Sequence, residues 1–152
     1  ERVFLLSTTH GAEMSGLGAF IATMDFYENH DVIDHLWSFG KKLKNLINCK
    51  ALEHGLKENL IASGFDCSPS IVLKDREGNV SMPLRTLFMQ EMLSRQVMMP
   101  WISIAYNHGD KELRHVDHAL DQSLITLRKA LDESIDKYLI GESVKPVFRK
   151  YN

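Results

Sequence analysis

Seven apolar residues at helical spacing, Leu113, Val116, Leu120, Leu124, Leu127, Leu131 and Ile135, constrain this chain more than any other feature. They predict one long amphipathic helix, opened by the turn Asn107-His108-Gly109-Asp110 and ended near Ile140-Gly141. Asp110 is its expected cap, and Glu112 sits where the positive end of the helix dipole favours a carboxylate. Such a helix has an apolar stripe that needs a partner layer, so the rest of the chain must supply one.

Two further helices and some strand meet that need. Asn29-His30-Asp31 interrupts one helical stretch, and Asp31 is placed to cap the next, in which Val32, Ile33, Leu36, Trp37, Leu43, Leu46 and Ile47 recur at helical spacing. His54-Gly55 ends that helix. Residues 52–75 then turn toward strand character, with Ser70 to Lys74 read as a β-branched, partly buried strand and Arg76-Glu77-Gly78-Asn79 as a turn. Ser81 with Pro83 opens a third helix, with the stripe Leu84, Leu87, Phe88, Met92 and Leu93. Trp101 to Tyr106 reads as the clearest strand of all. The expected fold is α+β: a small, mostly antiparallel sheet packed on two or three helices, with a long helix leading in. With 152 residues, no internal repeat and no Pro/Gly/Ser-rich linker, the chain suits a single core.

The first 23 residues carry the chemistry. An apolar strand from Val3 runs into Ser7-Thr8-Thr9-His10-Gly11 and then a helix rich in small residues, Gly16, Gly18, Ala19 and Ala22. The unpaired N–H groups of a helix start, with hydroxyls beside them, can hold a phosphate; an ordinary N-cap cluster has the same composition. The small residues leave a helical face flat enough to lie against another backbone.

Three segments in order, Phe4-Leu-Leu-Ser-Thr-Thr-His-Gly-Ala-Glu13, Leu93-Ser-Arg-Gln-Val-Met-Met-Pro100 and Ser103-Ile-Ala-Tyr-Asn-His-Gly-Asp110, make the chain resemble the C-terminal part of class III (fold type I) pyridoxal-phosphate aminotransferases. The branch that looks most similar is that of glutamate-1-semialdehyde 2,1-aminomutase, which moves an amino group within one molecule. The resemblance implies the C-terminal small domain of a fold type I enzyme, an obligate homodimer, a small-molecule amino substrate, and a threonine that binds the phosphate of pyridoxal 5'-phosphate from the neighbouring subunit. That threonine maps to Thr9, with Thr8 as the adjacent donor. The family more often shows Gly-Thr or Ser-Gly-Thr there, which leaves the choice between the two open. The family's Schiff-base lysine lies upstream of this turn, so no catalytic residue is expected in the chain, and the chain alone is expected to be inactive. Its start at Glu1 agrees with a C-terminal piece of a longer protein. The implied division is residues 1–30 as the end of the large cofactor domain, 31–141 as the small domain and 142–152 as a tail. A class III transaminase for another amino acid or amino sugar is the alternative within the class; a non-catalytic α+β dimerisation or binding module is the alternative outside it.

Other residues carry weaker signals. Gly40-Lys41-Lys42 lies on a helix where solvated lysines are the rule. His108, His115 and His118 lack a carboxylate or cysteine at a recognisable metal-ligand spacing, so no metal is expected. His10 neighbours the phosphate turn. Met82, Met89, Met92, Met98 and Met99 cluster as packing residues. Arg85, Arg95 and Arg114 could clamp a carboxylate, but each falls on a helix where a solvated face is the default. A net charge of −2 gives no basic field for nucleic acid, no apolar run approaches a membrane span, and Cys49 and Cys67 fit reduced thiols, so a cytoplasmic setting is expected.

Overall fold

The structure, a computed structural model, describes residues 13–145. Thr8 and Thr9, with Ser7, His10 and the opening strand, lie outside the described residues, as does the end of the tail from 146. The chain divides into two compact units, residues 1–35 and 36–152. Among the described residues the fold is α+β, with four α-helices and a two-stranded antiparallel sheet.

In the first unit, helix α1 (Met14–Asn29) starts after Glu13, whose carbonyl accepts the Leu17 N–H. Its apolar residues point in all directions, and none is buried. The break at 29–31 has a local cause: the His30 ring stacks on Phe26 at 3.9 Å, and its Nδ1 meets the Phe26 carbonyl at 3.0 Å. Helix α2 (Val32–Glu53) follows, with the Asp31 carbonyl accepting the His35 N–H, so Asp31 stands at the expected cap position.

In the second unit, α2 carries a buried row four residues apart, Phe39, Leu43, Ile47 and Ala51, while Trp37 is largely exposed. Strands β1 (Leu60–Phe65) and β2 (Ser68–Leu73) form a hairpin in which Leu60 pairs with Leu73 and Phe65 with Ser68. The amide of Asn48 on α2 serves the free edge of β1: its Nδ2 donates to the Ala62 carbonyl and its Oδ1 accepts the Ala62 N–H, both at 2.9 Å. That satisfies edge groups a third strand would otherwise pair.

Helix α3 (Met82–Ser94) starts as expected, with Ser81 Oγ accepting the Leu84 N–H at 3.2 Å and Pro83 in the first turn. Its end is a Schellman motif: Val97 N–H donates to the Met92 carbonyl and Gln96 N–H to the Leu93 carbonyl, and both Met92 and Val97 are buried. The motif places Gln96 at φ +63°, the left-handed region that glycine adopts without steric cost. Gln96→Gly is therefore expected to stabilise the protein by about 0.5–1 kcal/mol in urea unfolding, and a loss of stability would show that the side chain contributes contacts outweighing its backbone strain.

Helix α4 (Asp110–Asp132) buries Ala119, Leu120, Ser123, Leu124, Leu127 and Ala130. Two expectations about it need correction. Gly109, and not Asp110, is the cap, because the Glu112 carboxylate reaches back to the Gly109 N–H and closes the turn one residue earlier. The helix stops at Asp132 rather than near 140, and a short 3-10 turn, Ile135–Lys137, replaces its last turns. The segment beyond is strapped to α3: Gln90 Nε2 donates to the Tyr138 carbonyl and Gln90 Oε1 accepts the Ile140 N–H, both at 2.9 Å, and Thr86 Oγ1 accepts the Val144 N–H. A continued helix would forfeit those bonds.

Residues 101–106 are not a strand. The alternation is real, since Ile102 is buried and Ile104 half-buried while Trp101, Ser103 and Ala105 are exposed, but no strand among the described residues pairs with the segment. It is extended backbone without a ladder.

A charge cluster joins α2 to α4. Lys50 Nζ lies 3.0 Å from Asp121 Oδ2, 3.1 Å from Asp117 Oδ1 and 3.2 Å from Glu53 Oε2, and His54 Nε2 donates to Asp121 Oδ1 at 3.0 Å. The hydrogen bonds from His54 and then Lys50 hold the Asp121 carboxyl below the usual carboxylate range, and the bond to Asp121 is the main reason the Lys50 ammonium is pushed up. A lowered carboxyl stabilises the folded state above the unfolded-chain value near ~3.9, and that stability disappears as pH falls through the folded value. Asp121→Asn is therefore expected to cost about 1 kcal/mol at neutral pH, kept small by solvent screening of a partly exposed group, and almost nothing near pH 2. Urea titrations across that range check it; a cost independent of pH would assign the loss to packing.

Candidate functional site

Two of the three segments that carry the family resemblance meet around one pocket of the second unit. The end of α3 and the residues after it bring Gln96 to Met99; the extended segment and the turn before α4 bring Ser103, Ile104 and His108; the first turns of α4 add Lys111, Glu112 and His115. The cavity is about 490 Å³, within the range of small-molecule sites. Buried Phe39, Leu43, Val97 and Ile102 form its apolar wall, and Met98 and Trp101 stand exposed at its rim.

The turn at 105–109 is closed by hydrogen bonds within itself. Ala105 N–H donates to His108 Nδ1 at 3.2 Å, His108 N–H donates to the Ala105 carbonyl at 3.0 Å, and the His108 ring lies 5.8 Å from that of Phe39. The bonded Nδ1 gives His108 a structural task. Glu112 is held below the usual carboxylate range, first by the Gly109 N–H and then by its own backbone N–H. The start of α4 is thereby occupied by a carboxylate of its own chain, so this helix end does not fit a cofactor phosphate. The pocket can take an apolar group, with hydrogen-bonding side chains at one side.

The other sequence candidates fall as follows. The phosphate turn at Thr8 and Thr9 is outside the described residues, so the structure brings nothing to it. Lys41 and Lys42 are exposed. His115 and His118 are exposed on α4, and among the described residues no group of three or more His, Cys, Asp or Glu is placed to hold a metal ion. Met92 is in the core, Met89 and Met99 line pockets, and Met98 is 81% exposed, so the methionines do not form one packing cluster. Arg95 pairs with Glu91 and Arg114 is exposed, but Arg85 is half-buried rather than solvated, with Nη2 donating to the Pro100 carbonyl at 2.7 Å. The pocket residues that sequence reading passed over are Phe39, four positions before Leu43 on the same helical row, and Lys111; Gln96 lies within the segment 93–100, but its left-handed backbone has no sequence signature.

No protein-family model matches the chain, and no solved structure matches it. Among curated proteins it is 28% identical over 134 residues to the 3-aminobutyryl-CoA aminotransferase of Cloacimonas acidaminovorans (strain Evry), a match covering 86% of this chain and 32% of that protein. The chain resembles an aminotransferase. It spans about a third of that relative's length. Among the described residues, no helix is long and apolar enough to cross a membrane.

Proposed function

We propose that this chain is the C-terminal part of a pyridoxal-phosphate-dependent enzyme that moves amino groups, acting as a cytoplasmic homodimer, and within that class an aminomutase of the glutamate-1-semialdehyde kind. The observation that carries the class is the similarity to an aminotransferase along 86% of the chain. The pocket lined by the stretch 96–104 and His108 supports it, because Phe39 and Leu43 of α2, far away in sequence, close the same cavity. When bound, the cofactor supplies an electron sink beside the substrate nitrogen. The chain's own part is to close an apolar wall beside the substrate and, at Thr8 and Thr9, to bind the phosphate. The name of the relative favours a second reading, a transaminase acting on an amino acyl substrate.

The full-length protein tests both. Thr8→Ala with Thr9→Val is expected to weaken retention of pyridoxal phosphate by tenfold or more, because hydrogen bonds to a charged phosphate are worth about 1.5–3 kcal/mol. Cofactor loss by dialysis measures it, and unchanged retention removes both residues from the site. Product formed from the semialdehyde without an added 2-oxo acid supports the mutase; dependence on that acceptor supports the transaminase. A full-length protein that binds no pyridoxal phosphate rejects both.

A further inference from the structure

A second pocket, of about 310 Å³, lies between β2, α3 and the extended segment at 99–102. Among the described residues of its lining, Arg85 is the only charged side chain; the other side chains are apolar, including buried Phe88, apart from the hydroxyls of Ser68 and Ser70. Met99, Trp101 and Ile102 line both this pocket and the one described above, so the segment they belong to borders the two.

Arg85 is unusual among the described arginines. Arg76 and Arg128 pair with Asp132, and Arg95 pairs with Glu91. Arg114 is exposed to water. Arg85 is half-buried, and no Asp or Glu among the described residues lies within ion-pair distance of it. A sheltered charge without a counter-ion is costly, and a guanidinium has five N–H donors. One of Arg85's is fixed on the Pro100 carbonyl at 2.7 Å, which anchors the planar fork and leaves the other donors for an acceptor. Planar forks of this kind match the two oxygens of a carboxylate.

We infer that this pocket is a binding site for a small monocarboxylate with a short apolar body, its carboxylate paired with Arg85 and its body against Ile71, Phe88 and Met89. The single charge in the lining sets the ligand's charge at minus one. An amine or a zwitterion would place its ammonium among apolar side chains with no carboxylate to receive it, and a phosphate dianion would find one cation where it needs more. The site is separate from the transaminase reading and does not depend on it.

Calorimetry on the full-length protein with 3-phenylpropanoate, and with 3-phenylpropanamide as its neutral counterpart, tests the proposal. The carboxylate is expected to bind at least tenfold more tightly than the amide. Arg85→Gln is expected to weaken the carboxylate at least tenfold and remove the preference, while Arg85→Lys, which keeps the charge and loses the fork, falls between. Ser70→Trp, a change at an exposed lining position of β2 that adds bulk to the pocket and leaves Arg85 in the sequence, is expected to abolish binding, and it keeps the test decisive if the Arg85 variants do not fold. Absence of saturable binding, equal affinity for carboxylate and amide, or binding unchanged in Ser70→Trp would each overturn the proposal.

Discussion

Gly40→Ala is expected to cost at least about 4 kcal/mol, or to leave no soluble folded protein. Gly40 is a buried residue in the middle of α2, where propensity alone would favour alanine by about 1 kcal/mol. The surroundings reverse that preference. A Cβ there would stand 1.7 Å from the Asp66 carbonyl oxygen, 2.8 Å from its carbon and 2.5 Å from Ile104 Cδ1. The first two atoms are backbone, in the two-residue turn of the hairpin, and cannot move aside as a side-chain tip can. The turn is also tied down by neighbours: Lys44 pairs with Asp66 and donates to the Gly64 carbonyl at 3.1 Å, and Trp37 meets Phe65 edge to face. To admit one methyl group, α2 must separate from the hairpin and lose these contacts together. Gly141→Ala is the control, because nothing lies within 4 Å of its Cβ position, and it is expected to change stability by less than about 0.5 kcal/mol. Urea midpoints of the two variants check the contrast; a Gly40→Ala cost below about 1 kcal/mol would mean that α2 and the hairpin do not meet this closely.

The same glycine shows where sequence reading reaches its limit. Gly40 is legible only as a glycine beside two lysines on a helix, because nothing local announces that a turn 26 residues away lies against its Cα. What depends on near neighbours was legible: Ser81 and Pro83 opening α3, the turn at 76–79, and the buried members of the α3 stripe, Leu84, Leu87, Phe88 and Met92. What depends on partners was not. The alternation at 101–106 is the pattern of a strand, but a ladder needs a second strand and none among the described residues is supplied. The stripe of α4 ran on in sequence through Ile135, yet the chain leaves the helix at Asp132, where bonds from Gln90 and Thr86 to residues 138–144 compete for it. Of the candidate site, the segments 93–100 and 103–110 are legible as sequence, while their closure against Phe39 and Leu43 of α2 is a tertiary fact. Arg85 shows the opposite error: helix periodicity placed it on a wet face, and the neighbouring segment through Pro100 shelters it.

Leu124→Ala is expected to cost about 2–5 kcal/mol, and its neighbour Ile125→Ala less than about 1 kcal/mol. The two residues differ by one step along α4, which turns the side chain by about 100°. Leu124 has no exposed surface and belongs to the core shared with α3, between Leu120 and Leu127 on the same face. Removing three of its side-chain carbons leaves a cavity that rigid neighbours fill only in part, so the loss exceeds the transfer energy of the missing groups. Ile125 is 42% exposed, and truncating it removes surface that is already partly wet. Ser123, fully buried beside them, donates its hydroxyl to Met92 Sδ at 3.3 Å, which fixes how α4 is rotated against α3. The pair of variants therefore reads that rotation as a difference in unfolding free energy. If Ile125→Ala instead cost as much as Leu124→Ala in the full-length protein, the outward face of α4 would be covered there by chain outside these residues, and the same measurement on the 152-residue chain would separate that covering from a different rotation of α4.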